Sequence, residues 1–414
     1  MRRRKTRHDR RVDTVRVLYF HQHFSTRSGS TGTRSYSMAR ALLARGHQVT
    51  MVCGSYRGAD TGLSGPVKRG ARRGVVDGIQ VIELRLAYSN HDGFLRRTAT
   101  FLRFALRSAW IALSEPCDLV FATSTPLTAG IPGIVAKITR RRRFVFEVRD
   151  LWPELPRAMG AIKNPLVLAM MSLLEWCCYR AADRCIGLAP GIVEGIARRG
   201  VPRDRIDMIP NAADLEIFSQ DRGVPHANDG TTRAVFTGTH GMANGLDAVL
   251  DAAIELRRRG DRTVTIELIG DGKLKPGLKQ RAELENLTNV SFTEPIPKTT
   301  LASRLGDAGI GLMILANVPA FYYGTSPNKF FDYLASGLPI ICNYPGWVAE
   351  LIREHGCGIA VEPGNPMAFA DALQFLASDP DARRQMGDRA RRLADEFDRT
   401  RLAERFVCCL EAAQ

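Results

Sequence analysis

The stretch that decides the fold is Val15-Arg-Val-Leu-Tyr-Phe20, a loop from Ser25 to Thr33, a helical pattern from Tyr36 to Arg45, and Gln48-Val-Thr-Met-Val-Cys53. The first and last pieces are rich in β-branched and aromatic residues, as strands are. The loop is Ser, Thr and Gly, and the helix stops at Gly46. Strand, glycine loop, helix, strand is the βαβ unit of a parallel sheet. Working outward, Gly78–Leu86, Asp118–Ala122, Arg143–Val148, Ile186–Ala189 and Ile206–Ile209 read as further strands, and the Gly/Arg-rich stretch 57–78 as an exposed mobile loop.

The same grammar restarts at Arg233-Ala-Val-Phe-Thr-Gly238. Loop Thr239–Gly245, helix Leu246–Arg258 and strand Val264–Ile269 follow, then turn Gly270–Gly272 and strands Gly309–Ile314 and Pro339–Cys342. The expected architecture is α/β: two facing Rossmann-like, doubly wound domains, a linker near 211–230, and ligands in the central cleft beyond the carboxyl ends of the strands. The expected boundaries are a basic tail at 1–16, an N-terminal domain at 17–212 and a C-terminal domain at 213–397. A last helix at about 398–414 is expected to pack back on the first domain.

The 414 residues suit two domains. With 45% hydrophobic and 24% charged residues, enough apolar surface exists to exclude a disordered chain. The net charge of +15 is uneven: residues 1–216 hold 36 basic against 18 acidic residues, and the remainder 22 against 25. The first half should therefore face something anionic, with nucleic acid, a membrane surface and a phosphorylated small molecule all open. Nine cysteines, none in Cys-x-x-Cys, read as buried thiols of a reducing compartment. The basic start lacks the apolar core of a signal peptide, and no run is apolar for long enough to span a bilayer, so a cytoplasmic chain with peripheral membrane contact is expected.

The sharpest local feature is Ser326-Pro-Asn-Lys-Phe-Phe-Asp-Tyr-Leu-Ala-Ser-Gly337. Ser326 suits an N-cap, Pro327 the first helical position and Gly337 the C-terminal stop. Lys329 in the first turn is unfavourable beside a bare positive helix end, and more favourable with an anion such as a diphosphate there. Asp332, one turn deeper on the same face, can accept hydrogen bonds from ribose hydroxyls. Equally, Lys329 and Asp332 can form an i,i+3 ion pair on an ordinary capped helix.

This run resembles the Pro-Ser-Lys-x-Phe-Glu-Tyr-x-Ala-x-Gly segment of glycosyltransferase family 4, retaining enzymes of the two-domain GT-B fold. In the same order, Glu147-Val-Arg-Asp-Leu-Trp-Pro-Glu154 resembles a stretch of the branch that builds O-antigen, capsule and exopolysaccharide, including N-acetyl-fucosaminyl transferases. Ile209-Pro-Asn-Ala-Ala-Asp214 is similar to the family's domain crossover. Phe236–Asp247 and Leu268-Ile-Gly-Asp-Gly272 resemble its donor loops.

The resemblance implies a donor site from Gly238, His240, Gly241, Asp271, Ser326, Asn328, Lys329 and Asp332. Gly29, Ser30, Gly32 and Thr33 would form an N-terminal loop under the donor phosphates and acceptor, and Asp150, flanked by Arg149 and Glu154, would form a catalytic face. Departures are visible. The first Glu of the family's motif falls at Gly324, and Thr239, His240 and Asn244 stand where the family's Arg and Lys hold the diphosphate. No cofactor is implied, because the nucleotide-sugar is a substrate. No Asp-x-Asp pair stands at a strand end, so no metal ligand set is read.

In Phe94–Trp110, helical spacing puts Arg96, Arg103 and Arg107 on one stripe, with Phe94, Leu95, Phe101 and Leu102 largely opposite. That reads as a basic amphipathic helix for an anionic inner-membrane face, or as a domain helix with its apolar side on the sheet. The expected function is transfer of a sugar, an N-acetylated amino sugar, from a UDP-type donor to a polyprenyl-diphosphate-linked or other glycan acceptor. The rivals are a two-domain nucleotide-sugar epimerase and a basic nucleic-acid-binding protein. The latter lacks aromatic residues interleaved with its basic clusters.

Overall fold

The computed structural model describes residues 14–29, 32–56, 59–88, 93–218 and 230–413. Its strands are β1 (Arg16–Phe20), β2 (Gln48–Tyr56), β3 (Ala71–Val76), β4 (Ile79–Tyr88), β5 (Leu119–Thr123), β6 (Arg143–Val148), β7 (Arg184–Gly187), β8 (Ile206–Met208), β9 (Thr232–Thr237), β10 (Val264–Ile269), β11 (Val290–Thr293), β12 (Ile310–Met313), β13 (Ile340–Cys342) and β14 (Gly358–Ala360). They form an eight-stranded sheet in the order β3-β4-β2-β1-β5-β6-β7-β8 and a six-stranded sheet in the order β11-β10-β9-β12-β13-β14. Pairing is parallel throughout except between β3 and β4.

Parallel sheets covered on both faces read as continuous apolar runs rather than alternating ones. In β5, Leu-Val-Phe-Ala-Thr, every residue is buried. One expectation is corrected here: within the stretch read as a mobile loop, Ala71–Val76 pairs with Ile79–Leu84 as an antiparallel edge strand. Its register is fixed by the short turn at Asp77 and Gly78 rather than by an apolar pattern of its own.

The order of the strands decides where the helices lie. The β1→β2 connection runs toward one edge of the first sheet, whereas β4→β5, β5→β6 and β6→β7 run toward the other. Right-handed crossovers therefore place helix Arg34–Ala44 on one face and helices Phe94–Ser114, Ile131–Arg140 and Pro165–Ala181 side by side on the opposite face. The final helix, Arg399–Glu411, packs against Arg34–Ala44. Phe406 meets the rings of Phe121 and Tyr19 at 4.9 and 6.4 Å, and Arg405 donates to the Met208 carbonyl at 2.8 Å.

In each sheet the strand order reverses beside its first strand, between β1 and β5 and between β9 and β12. The loops leaving these strands at their carboxyl ends diverge there, and the crevice left between them is where ligands bind in such sheets. Residues 21–29, 32–33 and 124–130 occupy that point in the first domain, and 238–245 and 314–327 in the second.

Candidate functional site

On the donor side, loop 238–245 leaves β9 under close constraint. Gly238 N–H donates to the Ile269 carbonyl at 3.0 Å, and His240 N–H to the Asp271 carbonyl at 2.9 Å. Gly270 has φ +149°, and a Cβ there would lie 1.8 Å from the Gly238 carbonyl oxygen, so only glycine lets the two loops touch. Lys275 fixes the second loop from below, donating to the Gly270 carbonyl and the Glu294 carboxylate, each at 2.7 Å.

This scaffold holds His240 completely buried against Phe236 and Phe292. Neither ring nitrogen has a hydrogen-bond partner. Burial, with the nearby charge of Lys275 added, pushes its pKa down to about 4, so the ring is neutral near neutral pH. Facing the same loop, Lys329 donates to Asn244 Oδ1 at 2.8 Å, and its ammonium stands 3.9 Å from the Phe236 ring centroid. No carboxylate among the described residues pairs with it, and burial pushes its pKa well below the ordinary value. A half-buried ammonium with one neutral acceptor and an aromatic face is a poor resting place for a cation and a good seat for an anion.

Lys329 and Asn328 open helix Asn328–Ala335, which ends at Ser336 and Gly337, the latter with φ +68°. Two local expectations are corrected. Ser326 does not cap this helix; Pro327 holds the cap position without a side-chain bond. The Ser326 hydroxyl instead accepts from Asn211 N–H at 2.9 Å, while Asn211 Nδ2 donates to the Ser326 carbonyl. The crossover segment competes successfully for the capping oxygen because its own buried N–H would otherwise be unpaired. Nor do Lys329 and Asp332 pair. Asp332 is buried and lies 3.4 Å from Lys298, which also donates to Asp214 at 3.2 Å. Burial pushes the Asp332 carboxyl up, against the opposing pull of Lys298 and Arg399.

On the facing side, the carboxyl end of β6 carries Glu147 and then Arg149 and Asp150. Glu147 and Arg34, both buried, form an ion pair: Arg34 Nε and Nη2 donate to Glu147 Oε2 at 2.9 and 2.8 Å. The guanidinium also reaches the carbonyls of Pro210 and Ile209 at 2.6 and 2.9 Å. Oε1 of Glu147 accepts from Thr123 at 2.7 Å and Arg149 at 3.3 Å. Burial alone would raise this carboxyl, but Arg34 and Arg149 overcome it and hold the pKa below the ordinary value. Nη2 of Arg149 is buried with no partner. His21, at the end of β1, is buried with Nδ1 unpartnered, and burial plus the charge of Arg149 holds it neutral.

Asp150 accepts a long 3.4 Å bond from Thr125, and burial raises its pKa. Glu154 is half-exposed, 3.7 Å from Arg198. With Leu151 and Leu155 it lines a crevice closed from the second domain by Ala320 and Gly324. Gly324 has a structural reason: a Cβ there would lie 2.4 Å from the Ala320 carbonyl oxygen. In the N-terminal loop, Thr33 is buried with its hydroxyl unpartnered. A Cβ on Gly32 would lie 3.2 Å from Asn328 Nδ2, so this loop abuts the start of the donor-side helix. Gly29 is buried, Gly238 and Asp271 are exposed and Gly241 half-buried; Ser30 and residues 1–13 of the tail lie outside the described residues.

Arg34, Glu147, Asn211 and Lys298 have no site role in the sequence reading. One signal for them existed, a lone glutamate inside the apolar strand Arg143-Phe-Val-Phe-Glu-Val148, which demands a buried cationic partner. The basic stripe also needs correction. Arg96 and Arg103 are exposed, but Arg107 turns to the carbonyls of Gly70 and Arg69 at 3.1 and 2.8 Å. Leu95 and Leu102, which one of the two readings set against the sheet, face outward. The inward face of that helix carries Phe104, Ala105, Ser108, Ile111 and Ala112.

Two crevices at two switch points, one lined by an unpaired ammonium and the other by a network around a buried arginine, are the setting in which sequence relatives become informative. The glycosyl transferase 4-like domain matches residues 29–212, and glycosyl transferases group 1 matches residues 231–379. Both halves of the chain belong to glycosyltransferase families. Together they make the two-domain GT-B arrangement. The chain is similar to the D-inositol 3-phosphate glycosyltransferase of Nocardia farcinica, 30% identical over 226 residues, 52% of this chain and 49% of that protein. The match thus spans about half the length of this curated relative. The sucrose-phosphate synthase of Thermosynechococcus elongatus superposes with TM-score 0.74 over 94% of this chain and 97% of its own, at 16% identity. The Anabaena HepE structure in complex with UDP-glucose superposes with TM-score 0.67 over 96% of this chain and 100% of its own, again at 16% identity. At such identities the likeness is one of fold.

Proposed function

We propose that the protein is a retaining glycosyltransferase. It moves a sugar from a UDP-linked donor to a lipid-linked glycan acceptor of the polyprenyl-diphosphate kind, in the building of a cell-surface polysaccharide such as lipopolysaccharide or capsule. The observation that carries the donor half is Lys329, a half-buried ammonium lacking an anionic partner among the described residues, at a helix start beside the unpartnered ring of His240. A diphosphate satisfies all three features: it pairs with the ammonium, accepts from the helix-start N–H groups, and accepts from the protonated nitrogen of the neutral imidazole. In this reading residues 213–397 take the donor, with Gly238, Gly241, Asp271, Ser326 and Asn328 around the diphosphate and Asp332 near the ribose. Residues 17–212 take the acceptor. The N-terminal loop Gly29–Thr33 lies under the phosphates, and Arg149, Asp150 and Glu154 form the acceptor-side wall.

The reaction breaks the bond from the anomeric carbon to the phosphate oxygen and forms one to the acceptor oxygen on the same face. The acceptor proton passes to the departing phosphate. The chain's contribution is position and charge: Lys329 stabilises the leaving diphosphate, and the two rigid loops hold it in place. An N-acetylated amino sugar is the expected group, on the resemblance of Asp150-Leu-Trp-Pro-Glu154 to the polysaccharide branch. The enzyme is expected at the cytoplasmic face of the membrane. The named relative favours a second acceptor class, a phosphorylated polyol, and the unpartnered Arg149 nitrogen fits a phosphate there equally well.

Labelled UDP-sugars incubated with the enzyme and either a lipid-linked acceptor extract or inositol phosphate distinguish these. Label in the organic phase supports the first reading, and label in a water-soluble phosphorylated glycoside the second. A free UDP-sugar isomer formed without acceptor would instead mark an epimerase.

A further inference from the structure

The three helices that the crossovers place side by side on the outer face of the first sheet are unlike the rest of the surface. Fifteen large hydrophobic side chains are strongly exposed among the described residues, and nine of them stand on these helices, with exposures between 45 and 82%. On Phe94–Ser114 they are Leu95, Leu102, Leu106 and Trp110, one stripe at helical spacing. On Pro165–Ala181 they are Leu166, Met170, Leu173 and Trp176, a second stripe at the same spacing. Ile138 stands on the helix between them, which touches both neighbours.

The charge carried by this face is predominantly basic, although Lys137 and Arg143 pair with Asp183 at 2.6 and 3.4 Å. Phe94–Ser114 holds four arginines and no acidic residue. Residues 131–143 hold Lys137 and Arg140 to Arg143, again with no acidic residue. Pro165–Ala181 adds exposed Arg180, and its one acid, Glu175, is buried against Arg199 and Tyr179. Two copies of this face would bring two sets of arginines together, which argues against self-association. Apolar side chains including two tryptophans, ringed by arginines, match the boundary of an anionic bilayer, where the rings sit at headgroup level and the cations meet lipid phosphate. No helix among the described residues is long and apolar enough to cross a membrane, so the contact is interfacial.

We propose that the face formed by helices Phe94–Ser114, Ile131–Arg140 and Pro165–Ala181 is a docking surface for an anionic lipid bilayer, entered by both apolar stripes at once. The proposal rests on the membrane-side reading of the acceptor and adds the surface that makes it physical. It also orients the molecule. A helix that follows a parallel strand starts at that strand's carboxyl end, so Leu95 and Leu166 border the end of the sheet where the cleft opens. A lipid-linked acceptor held in the docked bilayer then has a short path to the site.

The test is co-sedimentation of the full chain with vesicles of phosphatidylcholine alone or mixed equally with phosphatidylglycerol. Two surface variants accompany it, Leu106→Glu with Trp110→Glu on one helix and Met170→Glu with Leu173→Glu on the other. Circular dichroism checks their folding, and calorimetric UDP binding reports separately on the donor site. The wild type should bind only the mixed vesicles, and each double variant should lose about tenfold or more in partitioning with UDP affinity unchanged. Three results would overturn the proposal: wild type that ignores mixed vesicles, a Met170/Leu173 variant that binds like wild type, or a wild-type dimer that the variants dissolve. Retained UDP binding in any of these cases leaves the donor reading standing.

Discussion

The two walls of the cleft are built on opposite principles. Around Glu147 both carboxylate oxygens are used: Arg34 bonds one, Thr123 and Arg149 the other, and Arg34 also gathers two carbonyls of the crossover. Around Lys329 a half-buried ammonium has one amide oxygen and a ring face, beside an imidazole with neither nitrogen bonded. The first arrangement pairs Arg34 with Glu147 and holds the start of helix Arg34–Ala44, β6 and the crossover together, with Nη2 of Arg149 left without a partner. The second keeps unmet donors, which cost stability until an anion arrives. Buried polar groups that are paired within the protein serve structure, and those that are not mark a place kept for a ligand.

The contrast breaks most sharply at Glu147. Glu147→Ala leaves Arg34 buried without its counter-charge, and urea unfolding should show a loss of about 3–5 kcal/mol. A loss below about 1 kcal/mol would place the pair among marginal interactions and dissolve the distinction.

His240 should give the next largest effect, through pH. Its folded pKa, about 4, lies below its ordinary 6.5. The unfolded chain therefore binds the proton more readily, and stability is full above the ordinary value and lost as pH falls toward the folded one. At 1.36 kcal/mol per unit the loss attributable to this ring is up to about 3 kcal/mol between pH ~6.5 and ~4. His240→Gln should remove that part of the slope in unfolding measurements across this range. An unchanged slope would mean the ring is not held neutral by burial. On the proposed function UDP binds the folded state and should raise stability in both proteins.

Lys329→Met tests the other half of the contrast. UDP affinity should fall by about 1.5–3 kcal/mol, the worth of a hydrogen bond to a charged group, while thermal stability stays level or rises because a desolvated cation is gone. Equal losses in both would make Lys329 a structural residue. The smallest effect is expected at Gly324. Gly324→Ala sets a Cβ against the Ala320 carbonyl and should cost about 1 kcal/mol of stability. If alanine is tolerated freely, the close approach does not explain why glycine stands here.

Much of this was legible in the residues. The βαβ grammar at Val15–Cys53 and again from Arg233 and the helix ending at Gly337 follow from local patterns, whereas Lys329 and loop 238–245 were brought into one site only by the resemblance to a known family. Local logic failed where a distant group outbid a near one. Ser326 had the form of a cap, but Asn211, 115 residues away, took its hydroxyl. Asp332 had Lys329 within one turn and faces Lys298 instead. The apolar residues of Phe94–Trp110 left two readings open, toward the sheet or toward a membrane surface, because helical spacing fits either side of such a helix.

By itself, then, the sequence determined the two parallel sheets, the order of their strand and helix segments, the glycine loops and the excess of basic charge in the first half. These depend on periodicity, turn chemistry and composition, which act over a few residues. Only the tertiary structure decided which charges meet, with Arg34 and Glu147 brought together across 113 positions, and which face of three neighbouring helices is left uncovered. Both follow from strand order and crossover hand, and a buried charge or an exposed leucine is defined only by what the rest of the chain places beside it.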